Sequence, residues 1–201
     1  MFNRRTVSRY HLVHPLPGYI EHGEVRHRSE IVEMSTVGVR LRVRNLPEEK
    51  LLAPTAAHDF AEIVHEADGI AGFGGIRHVR SDGGDLWVGF RWDDFHVGKN
   101  IHKSFSIIGE LVAQGAAGCV NVRQDVVGLG GHVSPVLCED LQQCVARGFR
   151  RISLRDCTSI DAGGVAMLGG LGGLGVQIQD MGPEVSALLR QYRRQGRRPV
   201  H

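Results

Sequence analysis

Two arginines near the start of the chain, Arg5 and Arg9, have three residues between them, and the short polar turn Ser35-Thr36-Val37-Gly38 follows further along. Such a turn offers a hydroxyl and backbone N–H groups at one corner. Arginine makes bidentate contacts with phosphate oxygens or a guanine edge, and its flat face stacks on bases. These residue types therefore predict a site for an anionic nucleotide.

The residues on both sides of this turn alternate between apolar and charged. In the range 31–43, the run IVEMSTVGVRLRV places Val39, Leu41 and Val43 on one face and Arg40 and Arg42 on the other. A period of two is typical of a strand with one buried face. We expect a strand–turn–strand corner in which Gly38 takes a positive φ.

The spacing Arg5-x-x-x-Arg9 followed by Glu33-x-Ser35-x-x-Gly38 resembles the two-part signature of PilZ domains, RxxxR and then [D/N]xSxxG. PilZ domains are small β-barrels that bind the bacterial second messenger cyclic di-GMP. The run 85–92 also looks like the last barrel strand of that family, so the resemblance covers about the first half of the chain. One departure is Glu33, which is one methylene longer than the family's Asp or Asn. The resemblance implies that cyclic di-GMP is bound by Arg4, Arg5, Arg9, Glu33, Ser35 and Gly38.

Further short strands are expected before residue 100, at 19–28 with a break near His22-Gly23, and at 60–65, 76–80 and 86–92, with a hairpin turn at 81–85. Leu46–Glu49 is interpreted as a polar loop, and 53–57 is left undecided between a loop and a short helix. Apolar residues then recur every three or four positions over 100–114, which predicts an amphipathic helix. The expected domains are a PilZ-like barrel with this helix at 1–115 and a second domain at 116–201.

The second half alternates strands and helices, which predicts a sheet covered by helices. The expected strands are 119–129, 150–154 and 176–179; the expected helices are 135–146, with Ser134 as N-cap, 161–168 and 183–192. The fold class is therefore α+β with two domains, an antiparallel barrel and then an α/β sheet with helices.

The run 151–168, RISLRDCTSIDAGGVAML, resembles the centre of STAS domains, the fold of anti-sigma factor antagonists. There a strand ends in an acidic loop, and a D-S-S-G-type turn with a phosphorylated serine opens a helix. Ala162 and Gly163 stand at the corresponding positions here, so that phosphorylation site is absent. Thr158 and Ser159 are expected on the loop before it, and Asp161 can cap the positive end of the following helix. The expected role is docking of an unidentified protein partner through Asp156, Thr158, Ser159, Asp161, Ala162 and Gly163.

Other features mostly exclude functions. A net charge of +2 gives no bulk attraction to nucleic acid, and no apolar run is long enough to span a bilayer. The four cysteines lack a CxxC spacing and the histidines lack HExxH, which favours reduced thiols and no metal site. The GxGxxG string at 170–175 is interpreted as a loop after a helix, and the C-terminal arginines as a solvated helix end.

The sequence shows no nucleophile–base pair and no phosphate loop in the right context, so no catalysis and no cofactor are expected. The favoured interpretation is a cytoplasmic bacterial signalling protein in which cyclic di-GMP at the barrel is relayed to a protein through the second domain. The alternative is an interaction module whose barrel has lost nucleotide binding through Glu33. Homodimerisation is left open.

Overall fold

A computed structural model of the chain describes residues 7–45, 59–65 and 69–195. The chain divides into two compact units, Met1–Glu110 and Leu111–His201. The domain bounds expected from the sequence, 1–115 and 116–201, stay a prediction. The expected loop at 46–49 and the undecided segment at 53–57 lie outside the described residues.

The first unit contains a closed antiparallel β-barrel of six strands. They are β1 (Tyr10–His22), β2 (Val25–Ser35), β3 (Gly38–Val43), β4 (Asp59–Ile63), β5 (Ile70–Asp82) and β6 (Asp85–Trp92). Their order around the barrel is β1-β2-β3-β6-β5-β4, and pairing of β4 with β1 closes it. The antiparallel barrel expected from the sequence is confirmed. Alternating side chains fill its interior, among them Ile20, Ile31, Leu41, Val88 and Trp92, each at most 1% exposed.

Two glycine-containing turns set the hairpins of the barrel. Gly83 and Gly84 have φ angles of 61° and 85° and connect β5 to β6, as the sequence predicted. Gly23, at φ 62°, connects β1 to β2. The interpretation of 19–28 as one broken strand was therefore wrong, because these residues form the two arms of a hairpin.

One-residue bulges interrupt two strands that matter for the site. In β2 the pairing with β3 steps from Ile31 to Glu33, and in β5 the pairing with β6 steps from Ile76 to His78. Val32 and Arg77 are the extra residues. A bulge bends its strand and turns the neighbouring side chains to new directions.

Helix α1 (Asp94–Ala113) follows β6 and starts earlier than the expected 100–114. Asp93 accepts a hydrogen bond from the backbone N–H of His96 at 2.8 Å, which satisfies a free donor of the first turn. Asn100 donates its side-chain amide to the carbonyl of Ala71 in β5 at 3.0 Å, and this ties the helix to the barrel.

The second unit is a mixed four-stranded sheet with helices. Its strands are β7 (Ala117–Arg123), β8 (Val126–Val133), β9 (Arg151–Ile160) and β10 (Gln177–Gln179). β7 and β8 are antiparallel, whereas β8, β9 and β10 run parallel. The helices are α2 (Cys138–Ala146), α3 (Ala162–Gly173) and α4 (Pro183–Gln195). A sheet with helices was expected, while its likeness to STAS domains stays a prediction.

Three local expectations for this unit were wrong. The single strand at 119–129 is a hairpin, because Gln124 takes a φ of 55° and reverses the chain. Ser134 precedes a short 3₁₀ helix, Pro135–Leu137, and makes no side-chain capping bond. The string at 170–175 is not a loop throughout, since α3 continues to Gly173.

Candidate ligand-binding cleft

A cleft of about 400 Å³ lies on the barrel at the corner between β2 and β3. Four of the residues predicted to bind the ligand line it: Arg9, Glu33, Ser35 and Gly38. Arg4 and Arg5, the other two, lie outside the described residues. The rest of the lining consists of Met34 of β2, Val37 of the turn, and seven residues of β3, β5 and β6, namely Val39, Arg40, Arg77, His78, Gly89, Phe90 and Arg91.

Glu33 is the acidic centre of the cleft and is 4% exposed. Its carboxylate accepts a short hydrogen bond from Arg40, and lies 3.5 Å from Nδ1 of His11 and 3.9 Å from Nη1 of Arg9. Burial takes a carboxylate out of water, and the free energy of hydration that it loses is larger than the free energy that one exposed ion pair contributes. A buried carboxylate therefore requires several such partners. Arg9 and Glu33 belong to separate parts of the signature and are close in space. Arg40 joins this group through its hydrogen bond to Glu33.

Ser35 and Gly38 close the β2–β3 turn. The Ser35 hydroxyl donates to the carbonyl of Gly38 at 3.0 Å and accepts weakly from the N–H of Val37 at 3.4 Å. The expectation of a positive φ at Gly38 was wrong, since Gly38 is not among the left-handed glycines of the described chain. A Cβ at Gly38 would overlap the carbonyl oxygen of Phe90, so this glycine permits close approach of β3 and β6.

Strand register arranges the cleft into two rows of residues that cross the sheet. The first row runs Glu33, Arg40, Gly89 and His78 over β2, β3, β6 and β5. The second row runs Ser35, Gly38, Arg91 and Gly75 over the same strands. The rows stand two residues apart along β2, β3 and β6, and three apart along β5, where the bulge residue Arg77 intervenes, so they share a face of the sheet.

The cleft carries an excess of positive charge. Arg9, Arg40, Arg77 and Arg91 line it, and Glu33 is the one carboxylate in the lining. Arg77 and Arg91 are exposed and form no ion pair with any residue that the structure describes. Guanidinium groups around a recess that also contains apolar side chains suit an anionic ligand with a flat organic part.

Sequence reasoning missed Arg40, Arg77, His78 and Arg91 as members of this site. Arg40 was visible on the charged face of its strand, but nothing in the sequence assigned it to the cleft. Arg77 and His78 lie far along the chain from the signature, and the bulge that places them has no sequence signal of its own. Only the register of β3, β5 and β6 brings them together.

The predicted docking residues lie around the end of β9 and the start of α3. Asp156, Thr158 and Ser159 belong to β9, which continues to Ile160, so the expectation that Thr158 and Ser159 lie on a loop was wrong. Asp161 caps α3 by accepting from the N–H of Gly164 at 2.6 Å, as the sequence predicted. Ala162 and Gly163 form the first turn of that helix.

His132, which the sequence did not single out, connects two of these residues. Its Nδ1 lies 2.8 Å from the Ser159 hydroxyl, and its Nε2 lies 3.5 Å from the Asp161 carboxylate. A hydroxyl next to an imidazole is a nucleophile–base pair in form, which the sequence had not revealed. Because Asp161 also holds the start of α3, this row of polar groups fixes the junction of β8, β9 and α3.

Cysteine and metal chemistry have little support in the described chain. The four cysteines, all within the described chain, form no disulfide, and Cys119 and Cys144 are buried. Burial raises the pKa of the Cys157 thiol, with a smaller opposite effect from a backbone hydrogen bond at Ser159, and the raised pKa lowers the fraction of reactive thiolate. Within 7–45, 59–65 and 69–195 no cluster of three or more His, Cys, Asp or Glu is arranged to hold a metal ion. None of the described helices has the length and apolarity that crossing a bilayer requires.

The comparisons with known proteins found similarity at the level of solved structures. The PilZ domain with c-di-GMP of YcgR from Escherichia coli is similar over 56% of this chain and 97% of its own length, at 12% identity and a TM-score of 0.45. YcgR in complex with c-di-GMP, from the same bacterium, is similar over 55% of this chain and 47% of its own, at 14% identity and a TM-score of 0.42. The Bacillus subtilis inhibitor of motility MotI/DgrA is similar over 53% of this chain and 52% of its own, at 13% identity and a TM-score of 0.37. No protein-family model and no curated protein matches the chain.

Proposed function

We propose that the barrel is a receptor for cyclic di-GMP and that the cleft at the β2–β3 corner is its binding site. The observation that carries this proposal is the convergence of Arg9, Glu33, Ser35 and Gly38 on one positively charged recess. These are the residues that resemble the two parts of the PilZ signature in the sequence. Two unrelated stretches of sequence would not be expected to meet in one cleft by chance.

The chemistry of the cleft suits this ligand. Cyclic di-GMP carries two phosphates and two guanines, and guanidinium groups bind both phosphate oxygens and the guanine edge. Arg9 lines the cleft with its side chain 37% exposed, so its guanidinium is accessible although it lies near Glu33. We propose that Arg4 and Arg5 act with Arg9 as further phosphate contacts.

Calorimetry of the intact chain with cyclic di-GMP tests the proposal. The expected result is saturable binding at micromolar or lower concentration that weakens as salt is added, because the contacts are between opposite charges. An Arg9→Ala variant is the matched loss-of-site control. A flat titration of the unaltered chain at high protein concentration would overturn the assignment.

A second candidate function is a protein-interaction module without nucleotide binding. The observation that favours it is the carboxylate of Glu33, which Arg40 already holds by a short hydrogen bond. A ligand has to compete with this pair or accommodate it. The same calorimetry separates the two candidates.

We propose further that the second unit passes ligand binding to a protein partner, in the cytoplasm and without catalysis by this chain. The proposed docking surface is the exposed group Asp156, Thr158 and Ala162 together with Ser159, Asp161 and Gly163. What supports it is the resemblance of 151–168 to STAS domains and the arrangement of these residues at one edge of the β8–β9 pair.

A further inference from the structure

The cleft has a second wall, on β5 and β6, whose residues are not part of the two-part signature. Arg77 and His78 stand on β5, and Arg91 stands on β6. All three are exposed side chains that line the cleft. We call these three residues the far wall.

Strand register places the far wall directly in line with the signature residues. His78 belongs to the row that begins at Glu33 and Arg40, and Arg91 belongs to the row that begins at Ser35 and Gly38. Adjacent strands are about 4.8 Å apart, so Arg91 stands roughly 10 Å from Ser35 across the sheet, and His78 about 14 Å from Glu33. A ligand on the signature residues that extends along either row therefore reaches the far wall.

The bulge in β5 builds this wall. In a regular strand Arg77 and His78 would point to opposite faces, one of them toward the barrel interior. Because Arg77 is the extra residue of the bulge, both side chains are exposed, whereas the preceding Ile76 is 1% exposed. The strand thus presents a guanidinium and an imidazole at adjacent positions of the same cleft.

Gly89 leaves room for the imidazole ring of His78, because it has no side chain. A Cβ on Gly89 would overlap three atoms of that ring, so the imidazole lies on the backbone of β6 where any larger residue would stand. The residue is exposed as a whole, so part of the ring remains open to the cleft. A flat ring held against a strand is a surface on which a base can stack.

The guanidinium groups of the far wall are available for an anion. Arg40 is held by Glu33, but Arg77 and Arg91 form no ion pair with the described residues of the chain. Phosphate oxygens bind such groups through charged hydrogen bonds. The far wall therefore combines a stacking surface with two cations, in line with residues that contact the other end of the same ligand.

We infer that the far wall makes the cleft selective for ligands with two phosphates: Arg91 and Arg77 bind the phosphate opposite Arg9, and His78 stacks on a base. This inference rests on the proposed function. It adds that a ligand with one phosphate and one base fills only half of the cleft. Guanosine monophosphate is such a ligand and is the probe for the comparison.

The test is calorimetry of the full chain with cyclic di-GMP and with guanosine monophosphate, for the unaltered protein and four variants. Arg91→Ala should weaken cyclic di-GMP binding about tenfold or more, the loss expected for one charged hydrogen bond. It should weaken the monophosphate less, so the ratio of the two affinities falls. His78→Ala should weaken cyclic di-GMP binding several-fold, and His78→Phe, which keeps a flat ring, should restore it.

Arg80→Ala is the matched control, because Arg80 is exposed on the same strand, pairs with Asp82 at 3.4 Å and is outside the cleft lining. It should bind both ligands as the unaltered protein does. Thermal unfolding shows whether each variant keeps the fold, and exposed side chains should leave it unchanged.

The possible failures are distinguishable. If Arg91→Ala and His78→Ala bind cyclic di-GMP as tightly as the unaltered protein, the far wall is not a contact and the inference is overturned, while the proposed function stands. If the unaltered protein binds no cyclic di-GMP, the proposed function is overturned, and the inference fails with it.

Discussion

At the scale of single residues, Arg9 is the described member of the paired arginines on which the proposed site depends. It precedes the first strand, lies 3.9 Å from Glu33 and is partly exposed. Arg9→Ala should weaken cyclic di-GMP binding ten- to a hundredfold, because a charged hydrogen bond contributes about 1.5–3 kcal/mol. The thermal stability should hardly change.

Calorimetry measures this effect, with Arg123→Ala on β7 of the second unit as the matched control. An unchanged dissociation constant in Arg9→Ala would remove Arg9 from the site.

Glu33 differs by one methylene from the residue that the signature prescribes, and the structure gives this difference a physical meaning. The longer side chain reaches Arg40 and holds its guanidinium. Glu33→Asp should therefore bind cyclic di-GMP as tightly as the unaltered protein or more tightly, because a shorter carboxylate loosens its hold on Arg40.

Competition titration against the unaltered protein measures the ratio of affinities, and Glu33→Gln serves as the comparison without charge. A loss of more than about tenfold in Glu33→Asp would show instead that the Glu33–Arg40 pair shapes the site.

At the scale of elements, a second cluster of ion pairs, outside the cleft, joins β2 to β3 and to the residue that follows it. Glu30 accepts hydrogen bonds from Arg42 at 2.5 and 2.9 Å and from Arg44 at 3.2 Å. Burial by itself would raise the pKa of Glu30, but hydrogen bonds and charges from Arg42 and Arg44 outweigh it and hold the pKa below its ordinary value. The stabilisation is therefore present above the ordinary pKa of a glutamate and is lost as the pH falls through the lower folded value.

Glu30→Gln should accordingly lower the free energy of unfolding at neutral pH by about 0.5–1 kcal/mol, the range for exposed ion pairs. At a pH low enough that the carboxyl is protonated in both the folded and the unfolded state, the difference from the unaltered protein should disappear. Urea unfolding at both pH values measures this. Glu24→Gln, in the exposed turn between β1 and β2, should have no effect at either pH, and an equal loss in that variant would refute the assigned cause.

The elements also show what the sequence could and could not predict. Alternation around Ile31–Val43 and the Gly-Gly turn before β6 predicted the strands and hairpins of the barrel, because local periodicity is the direct consequence of one buried face. The sequence could not reveal the bulges at Val32 and Arg77, which arise from the fit between neighbouring strands. It also assigned the wrong reason to Gly38, whose constraint is the approach of Phe90 from β6, a contact between distant parts of the chain.

The same distinction applies to the second unit. Asp161 was recognised as the cap of α3 because capping is local. The contact between His132 and Ser159 depends on the parallel pairing of β8 with β9, which no spacing along the chain encodes.

At the scale of the whole molecule, the relay proposal requires that a ligand at the barrel changes the second unit. A ligand shifts an equilibrium only by its difference in affinity for the two states. Hydrogen exchange of the full chain with saturating cyclic di-GMP should show greater protection at Ser8–His11 and a changed rate around Asp156–Gly164. The Arg9→Ala variant under the same conditions should show neither change, and a response confined to the barrel would mean that the two units work independently.

The most direct measurement of the central claim is an NMR titration of the full chain with cyclic di-GMP that follows the backbone amides. The cleft assignment requires the largest shift changes at Ser35–Arg40 on the turn and β3 and at Gly89–Arg91 on β6, with smaller ones elsewhere in the barrel. These changes should saturate together with the calorimetric signal. Shifts that cluster outside these segments, or an unchanged spectrum at saturating ligand, would contradict the account.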